Sequence, residues 1–316
     1  MTALPLTEPG IYADIPMAAY HGQLTIGPSI SSSGLRTIYE RSPAHYFKGS
    51  YLNPKAEPID TEALRFGKAA HSLLLGDEVF ADNFEVAPFV LGYNRNEMAN
   101  GKAPKRGEDP DWTATSKDAW KDQVEQSGRI PLSQAAFAEL QGMKTALLRE
   151  PLIQDGLLDG EAERSIVWRD DETGVWLKAR PDVLPKAGWV VDYKTTTDGR
   201  DFKVSRAVTD RLYHMQLALV CEGLVALGFP PPNQYALVFQ EKTDPHAVTI
   251  KPIDVEAIMV GVKQNRIAIR RFAQCLSDGR WPAYEISGEY RIPPRMIDEV
   301  SHIETPDWLR ALEASL

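Results

Sequence analysis

Apolar residues recur along this chain with two distinct periods. In "TEALRFGKAAHSLLLG" (61–76), Phe66, Ala70, Leu73 and Leu74 fall three and four positions apart, which predicts an amphipathic helix. The same spacing marks residues 132–149 through Phe137, Leu140, Met143 and Leu147, with Pro151 as the stop. It also marks 211–228, which closes at Gly228, and a long run over roughly 254–278. "SISSSGLRTIYERSP" predicts a short helix over about 34–41, capped within Ser31–Ser33 and stopped at Ser42-Pro43. The second period belongs to strands. "ERSIVW" (163–168), "VWLKARPDVL" (175–184) and "WVVDYKT" (189–195) predict three strands joined by the turns "RDDETG" and "PKAG", and "QYALVFQ" (234–240) and "HAVTIKPI" (246–253) predict two more. Residues 91–115 are polar and aperiodic and hold Arg95, Lys102, Lys105 and Arg106; they read as a flexible loop with a solvated basic face. Helices, antiparallel strands, a helix, strands and a helix make a mixed α/β (α+β) layer fold. We expect one domain over 1–316, with its core at about 61–253 and a C-terminal helix and tail over 254–316.

Composition narrows the class. With 316 residues, 43% of them hydrophobic and 25% charged, the chain can bury a substantial core. No apolar stretch reaches the roughly 18 residues of a membrane span, and the N-terminus lacks a secretory pattern, so a cytoplasmic protein is expected. Two cysteines, Cys221 and Cys275, are too few for a disulfide framework or a four-cysteine cluster. The formal net charge of −9 argues against a globally basic nucleic-acid coat but leaves room for a local basic groove.

Chemistry concentrates in "KARPDVLPKAGWVVDYKTT". Asp182 and Asp192 flank the second turn, and Lys194 shares a strand face with Asp192. Two adjacent carboxylates repel unless one takes a proton or a cation lies between them. A hard divalent cation such as Mg²⁺ resolves that conflict. A lysine beside it can steady charge developing on a phosphate. Spacing alone slightly favours a solvated strand end, with Asp192 and Lys194 as a surface ion pair. Two features tip the balance toward a site: Asp192 follows the apolar Trp189, Val190 and Val191, and His71 lies one helical turn from the bare Gly67.

"RPD", nine residues, then "DYK" resembles the PD-(D/E)XK nuclease signature. The wider pattern resembles the RecE-type (exonuclease VIII-like) phage recombination exonucleases. It is carried by "SISSSGLRTIYERSPAHY", "LRFGKAAHSLLLG", "EAERSIVWRDDETGVWLKARPDVL", "WVVDYKTT" and "YHMQLALVCEG", in that order over some two-thirds of the chain. The resemblance implies a restriction-endonuclease-like core, a central mixed sheet flanked by helices. It implies His71, Asp182 and Asp192 as metal ligands, joined by the Tyr193 backbone carbonyl, with Lys194 as the catalytic lysine. Glu163 is implied at a second metal and Gln216 as an orienting or DNA-contacting residue. Where the family often carries a tyrosine four residues after that glutamine, this chain has Val220. Lys68 and His214 read as surface residues and Tyr213 as packing.

The function so implied is Mg²⁺-dependent exonucleolytic hydrolysis of linear double-stranded DNA, with Mn²⁺ as a substitute metal. Digestion would run 5′ to 3′ in single-strand annealing recombination, beside an annealing protein and in a homo-oligomeric ring, with a tetramer favoured. Alternatives are an endonuclease, a CRISPR-adaptation-type nuclease, or a non-catalytic DNA-binding module on the same scaffold.

Overall fold

The computed structural model describes residues 5–56, 61–88, 114–162, 164–185, 188–284 and 305–314. Along the chain run β1 (Gly10–Tyr12), α1 (Met17–His21), β2 (Ser29–Ser31), α2 (Ser32–Glu40), α3 (Pro43–Lys48), α4 (Glu62–Leu75), α5 (Asp77–Asn83) and β3 (Phe84–Val86). Next come α6 (Ala114–Gln126), β4 (Ile130–Leu132), α7 (Gln134–Leu147), α8 (Pro151–Gln154), β5 (Gly160–Ala162), β6 (Ser165–Arg169), β7 (Trp176–Ala179), β8 (Val183–Pro185) and β9 (Trp189–Thr196). The remainder is α9 (Asp201–Asp210), α10 (Tyr213–Ala226), β10 (Gln234–Glu241), β11 (Val248–Pro252), α11 (Val255–Asp278) and α12 (Asp307–Glu313). The result is a mixed α+β fold whose central strands are flanked by helices, as the sequence predicts.

Two sheets form the centre, ordered β1-β6-β7-β2 and β11-β10-β9. Strands β9 and β10 run parallel, as do β2 and β7, while the other pairs of these two sheets are antiparallel. Period-two alternation assigns the faces of β9. Val190 joins the main core with Leu237, Phe239 and the buried stripe of α10, whereas Val191 and Tyr193 face Ala70, Leu73, Leu140 and Met143 on the opposite side. A third cluster, Leu6, Ile15, Tyr20 and Leu24, covers Val167 and Trp176 on the outer face of β6 and β7. Helix α10 lies very close to the sheet at Gly223, where an added Cβ would sit 2.6 Å from the Trp168 ring. Gly261 of α11 allows a similar approach to α10, since a Cβ there would stand 2.8 Å from the His214 carbonyl. These two contacts set the depth of α10 and thereby the position of Gln216.

Two sequence expectations need correction. The run 175–184 is not one strand: Pro181 has no N–H and restricts Arg180, so the chain breaks between β7 and β8. Nor do β8 and β9 form a hairpin, because β8 pairs with β5 and β9 pairs with β10. The Tyr193 N–H, which a hairpin partner would use, is taken by Asp182 Oδ2 at 2.7 Å. The turn "RDDETG" does form, with the Gly174 N–H bonded to the Asp170 carbonyl at 2.8 Å. Most of the 91–115 loop lies outside the described residues, and its last positions, Ala114 and Thr115, begin α6. Among the described residues no helix is long and apolar enough to cross a membrane.

Candidate active site

The residues singled out from sequence converge where α4, the β7–β8 bend, β9 and α10 meet. They form two neighbouring acid–base pairs. At the mouth, His71 Nδ1 lies 2.9 Å from Asp182 Oδ1, and these side chains keep 28% and 22% of their surface. In the more buried pair Lys194 is ion-paired with Asp192, which is only 4% exposed. Gln216 Nε2 donates to Asp192 Oδ1 at 2.5 Å. Strand alternation puts Asp192 and Lys194 on one face, while the intervening Tyr193 is locked on the other by its hydroxyl bond to Gln240 at 2.7 Å. The His71 ring meets the Tyr193 ring edge-on at 5.1 Å, so the imidazole is fixed by packing as well as by Asp182. Because the Tyr193 N–H points to Asp182, away from β10, its carbonyl shares that free edge of β9.

The electrostatics divide the two carboxylates. Burial opposes ionisation of Asp182, but His71, Lys194 and the Tyr193 N–H outweigh it and hold this carboxyl below its ordinary range. For Asp192, burial together with the neighbouring Asp182 charge outweighs Lys194 and pushes the carboxyl up. Burial alone would favour neutral His71 and Lys194, yet the adjacent carboxylates raise both. The cluster thus binds positive charge in response to two carboxylates that lie too close together.

The donor set fits a hard divalent cation in kind: carboxylate oxygens of Asp182 and Asp192, the Tyr193 carbonyl and the His71 imidazole. Two buried oxygens support the fit. Asp192 Oδ2 lacks a hydrogen-bond donor apart from its ion pair, and Gln216 Oε1 has no partner. Among the described residues no three His, Cys, Asp or Glu side chains converge into a ready-made cluster. Internal partners hold each carboxylate instead. Glu163 lies outside the described residues.

Other expectations fared unevenly. Lys68 is exposed, as expected. His214 is not a surface residue: it is 8% exposed and its Nε2 lies 2.7 Å from Gln264 Oε1. Tyr213 does more than pack, since Lys194 Nζ sits 5.1 Å from its ring centre. Gly67 has only Thr195 Oγ1 near, at 3.9 Å from a Cβ built there, so the glycine is not demanded by a close contact. Sequence reasoning missed α9 and the basic residues it presents beside the site. The signal was available: Arg200, Lys203 and Arg206 recur every three residues, with Val204 and Val208 one turn apart on the buried face.

No curated protein sequence is similar enough to match. Among solved structures, a candidate exonuclease from Eubacterium rectale superposes with a TM-score of 0.56 at 14% identity, covering 92% of this chain and 100% of its own. That likeness supports the fold. A phage-related exonuclease from Haemophilus somnus 129PT aligns over 61% of this chain and 98% of its own, at 13% identity and a TM-score of 0.29, too loosely to support an argument. The family model described as a PDDEXK-like domain of unknown function (DUF3799) matches residues 31–291, and the chain belongs to that family.

Proposed function

We propose that this protein is a metal-dependent deoxyribonuclease, an exonuclease of the RecE type that hydrolyses phosphodiester bonds of linear double-stranded DNA. The observation that carries the reading is the buried Asp192–Lys194 pair beside the Asp182–His71 pair, on a PDDEXK-like scaffold. Mg²⁺, with Mn²⁺ as substitute, would be held by Asp182, Asp192, the Tyr193 carbonyl and His71. When bound it would supply Lewis-acid stabilisation of phosphoryl charge and an acidified water.

The chain's own residues then have separable tasks. Lys194 is kept protonated by two carboxylates, so its ammonium is available to stabilise charge on the reacting phosphate. Gln216 fixes the rotamer of Asp192 through Oδ1 and leaves Oδ2 directed toward the lysine. His71 and the Tyr193 N–H hold the two oxygens of Asp182, one each, so that carboxylate stays ionised and oriented. Low exposure of the inner pair keeps bulk water from screening it.

Digestion from the 5′ end, a role in phage-type recombination with an annealing protein, and a ring-shaped tetramer belong to the same proposal and rest on the sequence resemblance. End-labelled linear duplex and covalently closed circles, each with Mg²⁺, Mn²⁺ or EDTA, test the activity. Loss of the linear duplex with metal, its survival in EDTA and survival of the circles are expected. Cutting of closed circles would make the protein an endonuclease, and no cleavage under any metal would leave a binding module. Light scattering after size exclusion tests the ring, which a strict monomer overturns.

A further inference from the structure

A groove of about 830 Å³ opens directly from Lys194 and runs between α2 and α9. Its walls carry Arg36, Lys203, Arg206 and Arg211 besides Lys194, against two acids, Glu40 and Asp210. Arg206 spends part of its charge on Asp210 at 3.0 Å. The groove is therefore a local basic channel on a chain whose net charge is −9. Its inner end has a specific construction. Leu212 adopts a left-handed conformation (φ 52), unusual for a branched side chain, and Tyr213 follows it as the first residue of α10. The Tyr213 ring is shared by two cations, with Lys194 Nζ at 5.1 Å and the Arg36 guanidinium at 5.5 Å from its centre. Arg36 Nη1 donates to the Arg211 carbonyl at 2.9 Å, which aims the guanidinium, while its buried Nε has no hydrogen-bond partner. An oriented guanidinium lining a basic groove suits an oxyanion that can accept two donors at once, such as a phosphodiester.

We propose that the α2–α9 groove seats the DNA strand carrying the scissile phosphate, and that Arg36 grips a flanking phosphate across the Tyr213 ring from Lys194. Sharing one ring places the two cations no more than about 11 Å apart. That distance lets both cations touch phosphates of one strand. Lys203 and Arg206, exposed along the outer wall, continue the phosphate track. At the rim Phe202 is 59% exposed, with Arg200 and Lys203 against its ring at 5.0 and 5.5 Å, and it offers a face on which a base of the same strand stacks. The inference rests on the nuclease reading and names the strand's route through it.

The test is equilibrium binding of a fluorescein-labelled single-stranded oligonucleotide by anisotropy in EDTA, across a salt series. Arg36→Ala removes an internal bond to Arg211, so Lys203→Ala/Arg206→Ala, at exposed positions, is run beside it. Arg149→Ala/Arg280→Ala, which removes two exposed cations away from the groove, is the charge-matched control. In log affinity against log salt, each lost contact lowers the slope by about 0.7 for a single strand. The groove double variant is thus expected to lose about 1.4 and the control close to nothing, with Arg36→Lys retaining the slope but binding more weakly than wild type. Equal losses in the control and the groove variant, or no loss in either, would overturn the route. Asp182→Asn separates the two readings. If it binds the strand but does not cleave, while the groove variants bind as wild type does, the groove assignment falls and the nuclease reading stands. If wild type binds no strand at all, the groove assignment falls, and the nuclease reading is decided separately by cleavage of linear duplex with metal.

Discussion

Two buried aspartates in this molecule are treated in opposite ways. Asp170, 5% exposed in the β6–β7 turn, is held by three donors: Oδ2 accepts from the Thr173 N–H at 2.9 Å, the Thr173 hydroxyl at 2.6 Å and Arg266 Nη1 at 2.9 Å, and the same Nη1 lies 2.8 Å from Oδ1. Asp192, 3% exposed in β9, has one side-chain amide on Oδ1 and only the Lys194 point charge on Oδ2, with a second carboxylate nearby. A turn and a guanidinium make the first a closed structural unit that ties α11 to the sheet. The second is kept together by opposite charge and is left with acceptor capacity, the condition in which a buried group can take a ligand. Burial alone does not distinguish a site from a staple; satisfaction of the lone pairs does.

If that distinction is right, the largest effects on activity come from the under-satisfied side. Asp182→Asn and Asp192→Asn keep shape but weaken the oxygen set, and each should lower cleavage by at least about 10³-fold, several kcal/mol of transition-state stabilisation. Calorimetric titration with Mn²⁺ reads the same loss without turnover, and undiminished metal binding in both variants would sink the assignment.

Lys194→Ala sharpens the comparison by one step. Removing one electrostatic stabiliser costs about 10²–10³-fold in rate. DNA affinity should change little, because one phosphate contact among several is lost. The lysine would be reassigned to binding if affinity collapsed while single-turnover cleavage at saturating enzyme stayed normal.

The same surgery on the closed unit should touch stability instead. Asp170→Ala leaves Arg266 and the Thr173 donors without their acceptor. A fully buried broken pair costs about 3–5 kcal/mol, and we expect about 2 kcal/mol here because Arg266 keeps 21% of its side chain exposed. Urea unfolding measures the loss, and cleavage per folded molecule should equal that of wild type. A specific-activity loss at Asp170 would erase the contrast with Asp192.

How far the sequence discloses these differences depends on how local each signal is. The shared face of Asp192 and Lys194 follows from period-two alternation and is legible within a few residues, whereas Gln216 is singled out only by the family resemblance of its helix. The nearness of Asp182 was expected for the wrong reason. A hairpin was read from two apolar runs and a short turn, but Asp182 reaches β9 by bonding its backbone through a side chain, a contact that no periodicity reports. Arg36 was illegible, because its role depends on meeting Tyr213 and the Arg211 carbonyl from 175 residues away along the chain. His214 was misjudged for a related reason. A polar residue near the start of an otherwise apolar helix reads as exposed until its partner Gln264, on another helix, is placed.

The smallest expected effect tests the closed region from within. Glu222 of α10 lies next to the Asp170–Arg266 unit and accepts from Asn265 Nδ2 at 3.0 Å. Burial, aided by the Asp170 charge and only partly offset by Asn265 and Arg266, pushes its carboxyl up from 4.5 to about 7. Between those values the folded protein holds a proton that the unfolded chain releases. Stability contributed by this group is therefore highest below about pH 4.5, declines as pH rises, and is lost above about pH 7. Because the side chain is not fully removed from solvent, the decline should be about 1–2 kcal/mol, less than the full shift at about 1.4 kcal/mol per unit implies. Other groups titrate in the same window, so the readout is the difference between wild type and Glu222→Gln in urea unfolding from pH 5 to pH 8. The variant's stability should gain on wild type across that range and exceed it at the alkaline end. Parallel curves would mean that Glu222 is ionised in the folded state, and that the polar cluster beside Asp170 is more open to water than its hydrogen bonds suggest.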